Sequence, residues 1–117
     1  MPSQGDIVLI PVPFTDLSST KRRPVIVVSN DDDNSSVSDM VVVAMTSTPA
    51  TSPHSFSITS VDLIEGTLNH PGTVRVDKIY TLDQALIVKT FGRVNTQTLT
   101  RIQSLLLVLT ALRPGIR

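Results

Sequence analysis

The chain has 117 residues, balances ten Lys or Arg against ten Asp or Glu, and is 40% apolar with only 3% aromatic residues. That length and apolar share fit one domain with its own core, taken as residues 1–117, while zero net charge removes any global attraction to nucleic acid or membrane, so a polyanion would need a local basic patch. The absence of cysteine excludes a disulfide framework, a zinc knuckle and a thiol nucleophile.

Met1 to Asp6 carries neither the basic region nor the long apolar run of a secretory leader, which points to a cytoplasmic protein. Ile7-Val8-Leu9-Ile10 reads as a first strand, stopped by Pro11 and Pro13. Residues 14–22 form a polar loop without apolar period. Lys21-Arg22-Arg23 then runs into Pro24 and the β-branched stretch to Val28, a buried second strand ending at Ser29. Pro24 restricts Arg23 to an extended backbone. Arg23 is thereby either a rigidly mounted guanidinium suited to bidentate phosphate recognition or a solvated strand end.

Residues 30–39 read as a turn-rich surface loop. Its consecutive Asp31, Asp32 and Asp33 do not match a calcium-loop spacing, so a solvated turn is favoured over a metal site. Met40 to Met45 is apolar throughout, as expected of a central strand buried on both faces. A second hydroxyl-rich loop covers 46–54. Ser55 to Ser60 alternates, with Phe56 and Ile58 on one side, as a half-exposed strand. Residues 63–72 look irregular, 73–76 a short strand, 79–83 a turn, and 86–91 a last strand ended by Gly92. Leu99, Ile102, Leu105, Leu106, Leu109 and Leu112 recur at three- and four-residue steps, one face of a C-terminal helix. Asn95 or Thr96 would cap its start and Pro114-Gly115 would end it. Leu107 and Val108 widen the stripe into a candidate subunit contact. The longest apolar runs, Val41 to Met45 and Leu105 to Leu109, are far too short to span a bilayer, so no membrane is expected as a partner.

Five or six short strands with one terminal helix predict a mainly β fold, a small curled antiparallel sheet or barrel. Antiparallel neighbours set one strand's beginning beside the other's end. The second and third strands would then bring Arg23 towards Thr46, with Ser47, His54, Lys21 and Arg22 nearby. Such a set suits RNA cleavage without a metal. The ribose 2′-oxygen attacks its own phosphate, an Arg binds the charge that builds up, a Thr hydroxyl adds a hydrogen bond, and a His moves protons. Plainer readings stand beside this one: Thr46 and Ser47 as turn residues, His54 as a surface histidine, His70 beside Pro71-Gly72 as turn chemistry. No Ser-His-Asp order, phosphate-cradling Gly loop or carboxylate pair stands out.

Three segments carry a resemblance over nearly the whole chain. They are Gly5-Asp6-Ile7-Val8-Leu9-Ile10, Arg22-Arg23-Pro24-Val25-Ile26-Val27-Val28-Ser29-Asn30-Asp31 and Val42-Val43-Ala44-Met45-Thr46-Ser47. In this order they resemble the MazF/PemK family of toxins, with weaker echoes in Val76-Asp77-Lys78-Ile79-Tyr80-Thr81-Leu82-Asp83 and Gly92-Arg93-Val94. The resemblance implies a small SH3-like barrel of the MazF/PemK/CcdB type with helices, usually a homodimer. It implies a metal- and cofactor-independent endoribonuclease that cuts single-stranded RNA at short sequences and leaves a cyclic phosphate. Arg23 and Thr46 would be its catalytic pair. Lys21, Arg22, Ser47, His54 and, in the first loop, Ser18 and Ser19 would contact RNA. A cognate antitoxin's C-terminal segment would occupy the same groove.

The chain departs from the family pattern at Tyr80, where members often carry a basic residue. Supplementary charge would come from Arg75 and Lys78, and unpaired bases could stack only on Phe14, Phe56 or Tyr80. Two rival classes remain: a CcdB-like gyrase poison, which acts through a terminal-helix Trp that this chain lacks, and a degenerate member that only binds a partner, against which the intact Arg23 and Thr46 speak.

Overall fold

The computed structural model describes residues 1–12 and 21–114. The β-branched stretches form seven strands: β1 (Asp6–Val12), β2 (Lys21–Val27), β3 (Asp39–Thr46), β4 (Ser55–Ile58), β5 (Leu63–Gly66), β6 (Gly72–Asp83) and β7 (Lys89–Val94). Two helices join them, a short α1 (Asp31–Ser36) and the C-terminal α2 (Thr96–Leu109). The strands make one curled sheet in the order β4-β6-β3-β2-β1-β7-β5, antiparallel at every pairing. The mainly β expectation with a terminal helix is thus met.

β3 lies between β2 and β6 and is buried on both faces, as its unbroken apolar run required. Val43 and Met45 join Ile7, Ile26, Phe56, Ile58, Val74 and Val76 in one cluster, which Ile102 of α2 closes. Met40 and Val42 join Val8, Ile10, Val25 and Val27 on the opposite face. Alternate residues of the same strands therefore feed two separate apolar clusters. Each fully buried aliphatic side chain contributes about 1.5–3 kcal/mol.

Several boundaries differ from the sequence reading. β1 runs through Pro11 instead of stopping there. The Leu9 carbonyl accepts from Val88 on the β7 side, and Pro11, two residues on, turns its nitrogen to that same side. The β1–β7 pairing ends at Leu9, so no ladder bond is lost to the missing N–H. Residues 31–36, read as loop, are α1. The Asn30 side chain accepts from the Asp33 N–H, and three Asp in the first turn complement the helix's positive end. The Gln84 amide nitrogen donates to the carbonyls of Asn34, Val37 and Asp39, which ties this helix to the sheet.

Residues 63–66, read as irregular, pair with β7 as strand β5. Gly92 sits inside β7 rather than ending it, because a Cβ there would lie 2.9 Å from the Glu65 carbonyl oxygen of β5. Gly66 has φ +83°, and a Cβ on it would collide with the Phe91 carbonyl. α2 starts at the expected cap, the Asn95 side chain accepting from the Thr98 N–H. It ends at Leu109, well before Pro114, as the Thr110 N–H and hydroxyl both close onto the Leu106 carbonyl. Leu112 lies beyond the helix and is exposed, as are Leu107 and Val108.

Candidate active site

Val25 of β2 faces Ala44 of β3. The β2–β3 pairing ends there, and two residues beyond it on each strand stand Arg23 and Thr46, one near the start of its strand and one at the end of its neighbour. Side chains alternate along a strand, so both project to the face of Val25 and Ala44. That face carries a groove of about 940 Å³, and Arg23 and Thr46 both line it. Ile10, which pairs with Arg23 across β1, joins Val25 and Leu82 in an apolar floor.

β6 completes the groove through an irregularity. Val43 pairs with Ile79 but Ala44 pairs with Arg75, so residues 76–78 are extra against β3. Such an insertion bends a strand and re-aims its side chains. Arg75, Lys78 and Tyr80, in and around it, line the groove. Reading 73–76 as a short strand and 79–83 as a turn missed this, since the two pieces are one twelve-residue strand. The missed signal is the alternation of half-buried Tyr80 and Leu82 with exposed Thr81 and Asp83.

The cations of the fold differ in how they are held. Arg93 donates from Nε to Asp6 at 2.9 Å, and Asp6 is buried, so that pair locks β1 to β7. Arg75 makes a bidentate pair with Asp77, Nε to Oδ1 at 2.9 Å and Nη2 to Oδ2 at 2.8 Å. These hydrogen bonds hold the Asp77 carboxyl below the usual carboxylate range and push the Arg75 guanidinium further up. Among the described residues, the side chains of Arg23 and Lys78 have no hydrogen-bond or ion-pair partner. A guanidinium beside an apolar floor with no carboxylate to neutralise it attracts an anion.

Thr46 is half-buried. Its hydroxyl accepts from the Thr48 N–H at 3.2 Å and donates to the Thr48 hydroxyl at 3.4 Å. This local turn bond fixes the oxygen at the rim of the groove, so the turn reading and the site reading of Thr46 describe one geometry. Ser47 and Thr48 also line the groove. Lys21 and Arg22 are exposed on β2 opposite Val12 and Pro11, and neither is among the described lining residues.

His54 is not among those lining residues either. Its carbonyl accepts from the Val76 N–H and its N–H donates to Ser52 Oγ, so its backbone anchors the loop to the bent strand. The expected convergence therefore brings together Arg23, Thr46 and Ser47, and leaves His54 aside. Ser18, Ser19 and Phe14 lie outside the described residues. Phe56 is buried in the helix-side cluster, with the Arg101 guanidinium 4.2 Å from its ring centroid, so it is closed to a base. Among the described residues no group of three or more His, Asp or Glu could hold a metal ion, and no helix is long and apolar enough to cross a membrane.

No curated protein sequence matches this chain. Among solved structures it is similar to an endoribonuclease from a mycobacterial species in complex with its cognate antitoxin, at 24% identity over 97% of this chain and 100% of that one, with a TM-score of 0.78. A second mycobacterial endoribonuclease is 27% identical over 98% and 95% of the two chains, with a TM-score of 0.74. A MazE–MazF structure from Deinococcus radiodurans is 19% identical over 96% and 97%, also with a TM-score of 0.74. The family model of the PemK-like, MazF-like toxin of type II toxin–antitoxin systems matches residues 3–110. That span takes in all seven strands, both helices and the groove, and the chain belongs to this family.

Proposed function

We propose that this protein is the toxin of a toxin–antitoxin pair, a metal-independent endoribonuclease that cuts single-stranded RNA at short sequences. The observation that carries the reading is the shared groove of Arg23 and Thr46, where Arg23 has no carboxylate partner among the described residues. The similar mycobacterial structures named as endoribonucleases support the same reaction class.

In this reaction the ribose 2′-oxygen bonds to phosphorus as its proton leaves. The 2′-proton passes to water, the bond from phosphorus to the 5′-oxygen breaks, and that oxygen takes up a proton from water, giving a 2′,3′-cyclic phosphate and a 5′-hydroxyl. Arg23 stays charged at any working pH. It neutralises the charge growing on the non-bridging oxygens and hydrogen-bonds the leaving oxygen. Thr46 holds the phosphate from the facing strand, with Ser47 beside it. Lys21, Arg22, Ser18, Ser19 and His54 supply further contacts to the RNA.

The protein works in the cytoplasm as a homodimer, and the C-terminal segment of a cognate antitoxin blocks the groove. The groove's apolar floor suits the side chains of such a segment, and a similar structure holds an endoribonuclease with its antitoxin.

The test is incubation of the purified protein with a long defined single-stranded RNA in EDTA, followed by mapping of the new ends. The proposal expects discrete cuts that end in cyclic phosphate. Intact RNA, or cutting restored only by added divalent metal, would reject it.

A further inference from the structure

The groove holds more than the Arg23–Thr46 pair. Along β3 its face carries Thr46, Ala44 and Val42 in succession. Across β6 these meet Thr73, Arg75 and Tyr80. Arg75 is thus one rung from Thr46, about 7 Å along the strand, and Tyr80 two rungs, about 13 Å, at roughly 3.3 Å per residue. Both line the groove. Tyr80 packs against the groove-side apolar cluster, which seats its ring. It is the aromatic residue among the described groove lining; Phe56 and Phe91 belong to the helix-side cluster. Asp77 fixes the Arg75 guanidinium through two of its nitrogens and is a positioning residue here.

We infer that Tyr80, Arg75 and Lys78 form a nucleotide subsite beside the cleaved bond, Tyr80 stacking one unpaired base, Arg75 donating to a neighbouring phosphate through Nη1, which Asp77 leaves open, and Lys78, unpaired among the described residues, supplying the charge. The inference rests on the RNA reading above and deepens it by naming where the strand runs: from Thr46 along β3 towards Val42. Base-on-aromatic stacking tolerates any base, so the subsite supplies affinity and register.

The experiment is a binding titration with short 2′-O-methyl RNA, which cannot be cut by 2′-oxygen attack, and with a series in which one base is removed at each position in turn. Wild-type protein should lose about tenfold or more in affinity when one particular base is missing. Tyr80→Leu and Tyr80→Met keep apolar bulk against the cluster. They should lose a similar factor with the intact oligonucleotide and become indifferent to that missing base, while Tyr80→Phe, which keeps a ring, should stay sensitive to it. Variants that bind like wild type, or that stay sensitive at the same position, would overturn the subsite, as would a wild-type protein that binds no oligonucleotide. Coupling at Tyr80 without cleavage of ordinary RNA would keep the subsite and reject the nuclease. Cleavage without coupling would do the reverse.

Discussion

The two faces of the sheet use the same strands for opposite ends. On the helix side, Val43, Met45, Ile7 and Ile26 meet Phe56, Ile58 and Ile102 in a closed core. On the groove side, Met40 and Val42 are buried, Ala44 is half-covered and Thr46 reaches the rim. One face is capped by α2, while the other grades from core to open cleft within a single strand. The helix-side core and the proposed chemistry therefore draw on alternate residues of β3, and substitutions should separate them.

The largest expected effect breaks the groove side alone. Arg23→Ala should lower RNA cleavage by about 10³-fold, the upper range for removing one preorganised charge donor from a transition state, or about 4 kcal/mol. Because Arg23 is exposed, the thermal midpoint should hardly move. Single-turnover cleavage and a melting curve on the same sample check both halves.

Ile102→Ala breaks the other face. It empties the position through which α2 closes the helix-side core and should remove about 3 kcal/mol of unfolding free energy in denaturant titration. Cleavage by the fraction that stays folded should be unchanged, and a loss matching that of Arg23→Ala would mean the faces are not separable. Asn95→Ala removes the cap of α2 and should cost about 1 kcal/mol by the same titration.

The smallest effect belongs to the groove-rim ion pair. Asp77 has its pKa lowered by the hydrogen bonds from Arg75 in the folded protein, so its stabilising contribution is present above the ordinary carboxylate value of about 3.9 and fades as pH falls through the lower folded value. The difference in melting temperature between wild type and Asp77→Asn should be small at neutral pH, since the pair is well solvated. It should shrink towards zero as pH falls below the ordinary carboxylate range and through the lower folded value. A difference that grows on acidification would contradict this sign.

The parts legible in the sequence are those that local chemistry decides. The unbroken run of β3 announced a two-faced central strand, and the helical period of Leu99, Ile102, Leu105 and Leu106 announced the core-facing stripe of α2, of which Ile102 is fully buried. Arg23 and Thr46 could be brought together because antiparallel pairing has only a few registers that respect the apolar pattern. The bulge in β6 was not legible. Three extra residues against β3 are a property of two strands at once, and Val76-Asp77-Lys78 carries no turn signature. Missing it cost the reading of Leu82 as groove lining, while Tyr80, named as a stacking candidate, does line the groove. β5 was hidden for a similar reason, since Leu63-Ile64-Glu65-Gly66 becomes a strand only by pairing with β7 around two glycines that permit close approach. α1 was the avoidable miss: Asn30 followed by three Asp is a helix-start signal in its own right.

The central claim is that Arg23 and Thr46 act on one phosphate from facing strands, and a double-mutant cycle in single-turnover RNA cleavage tests it most directly. Arg23→Ala and Thr46→Val should each slow the reaction, and the double variant should lose far less than the product of the two factors, as groups serving one transition state do. Losses that simply multiply, or a single variant that cuts at the wild-type rate, would contradict it.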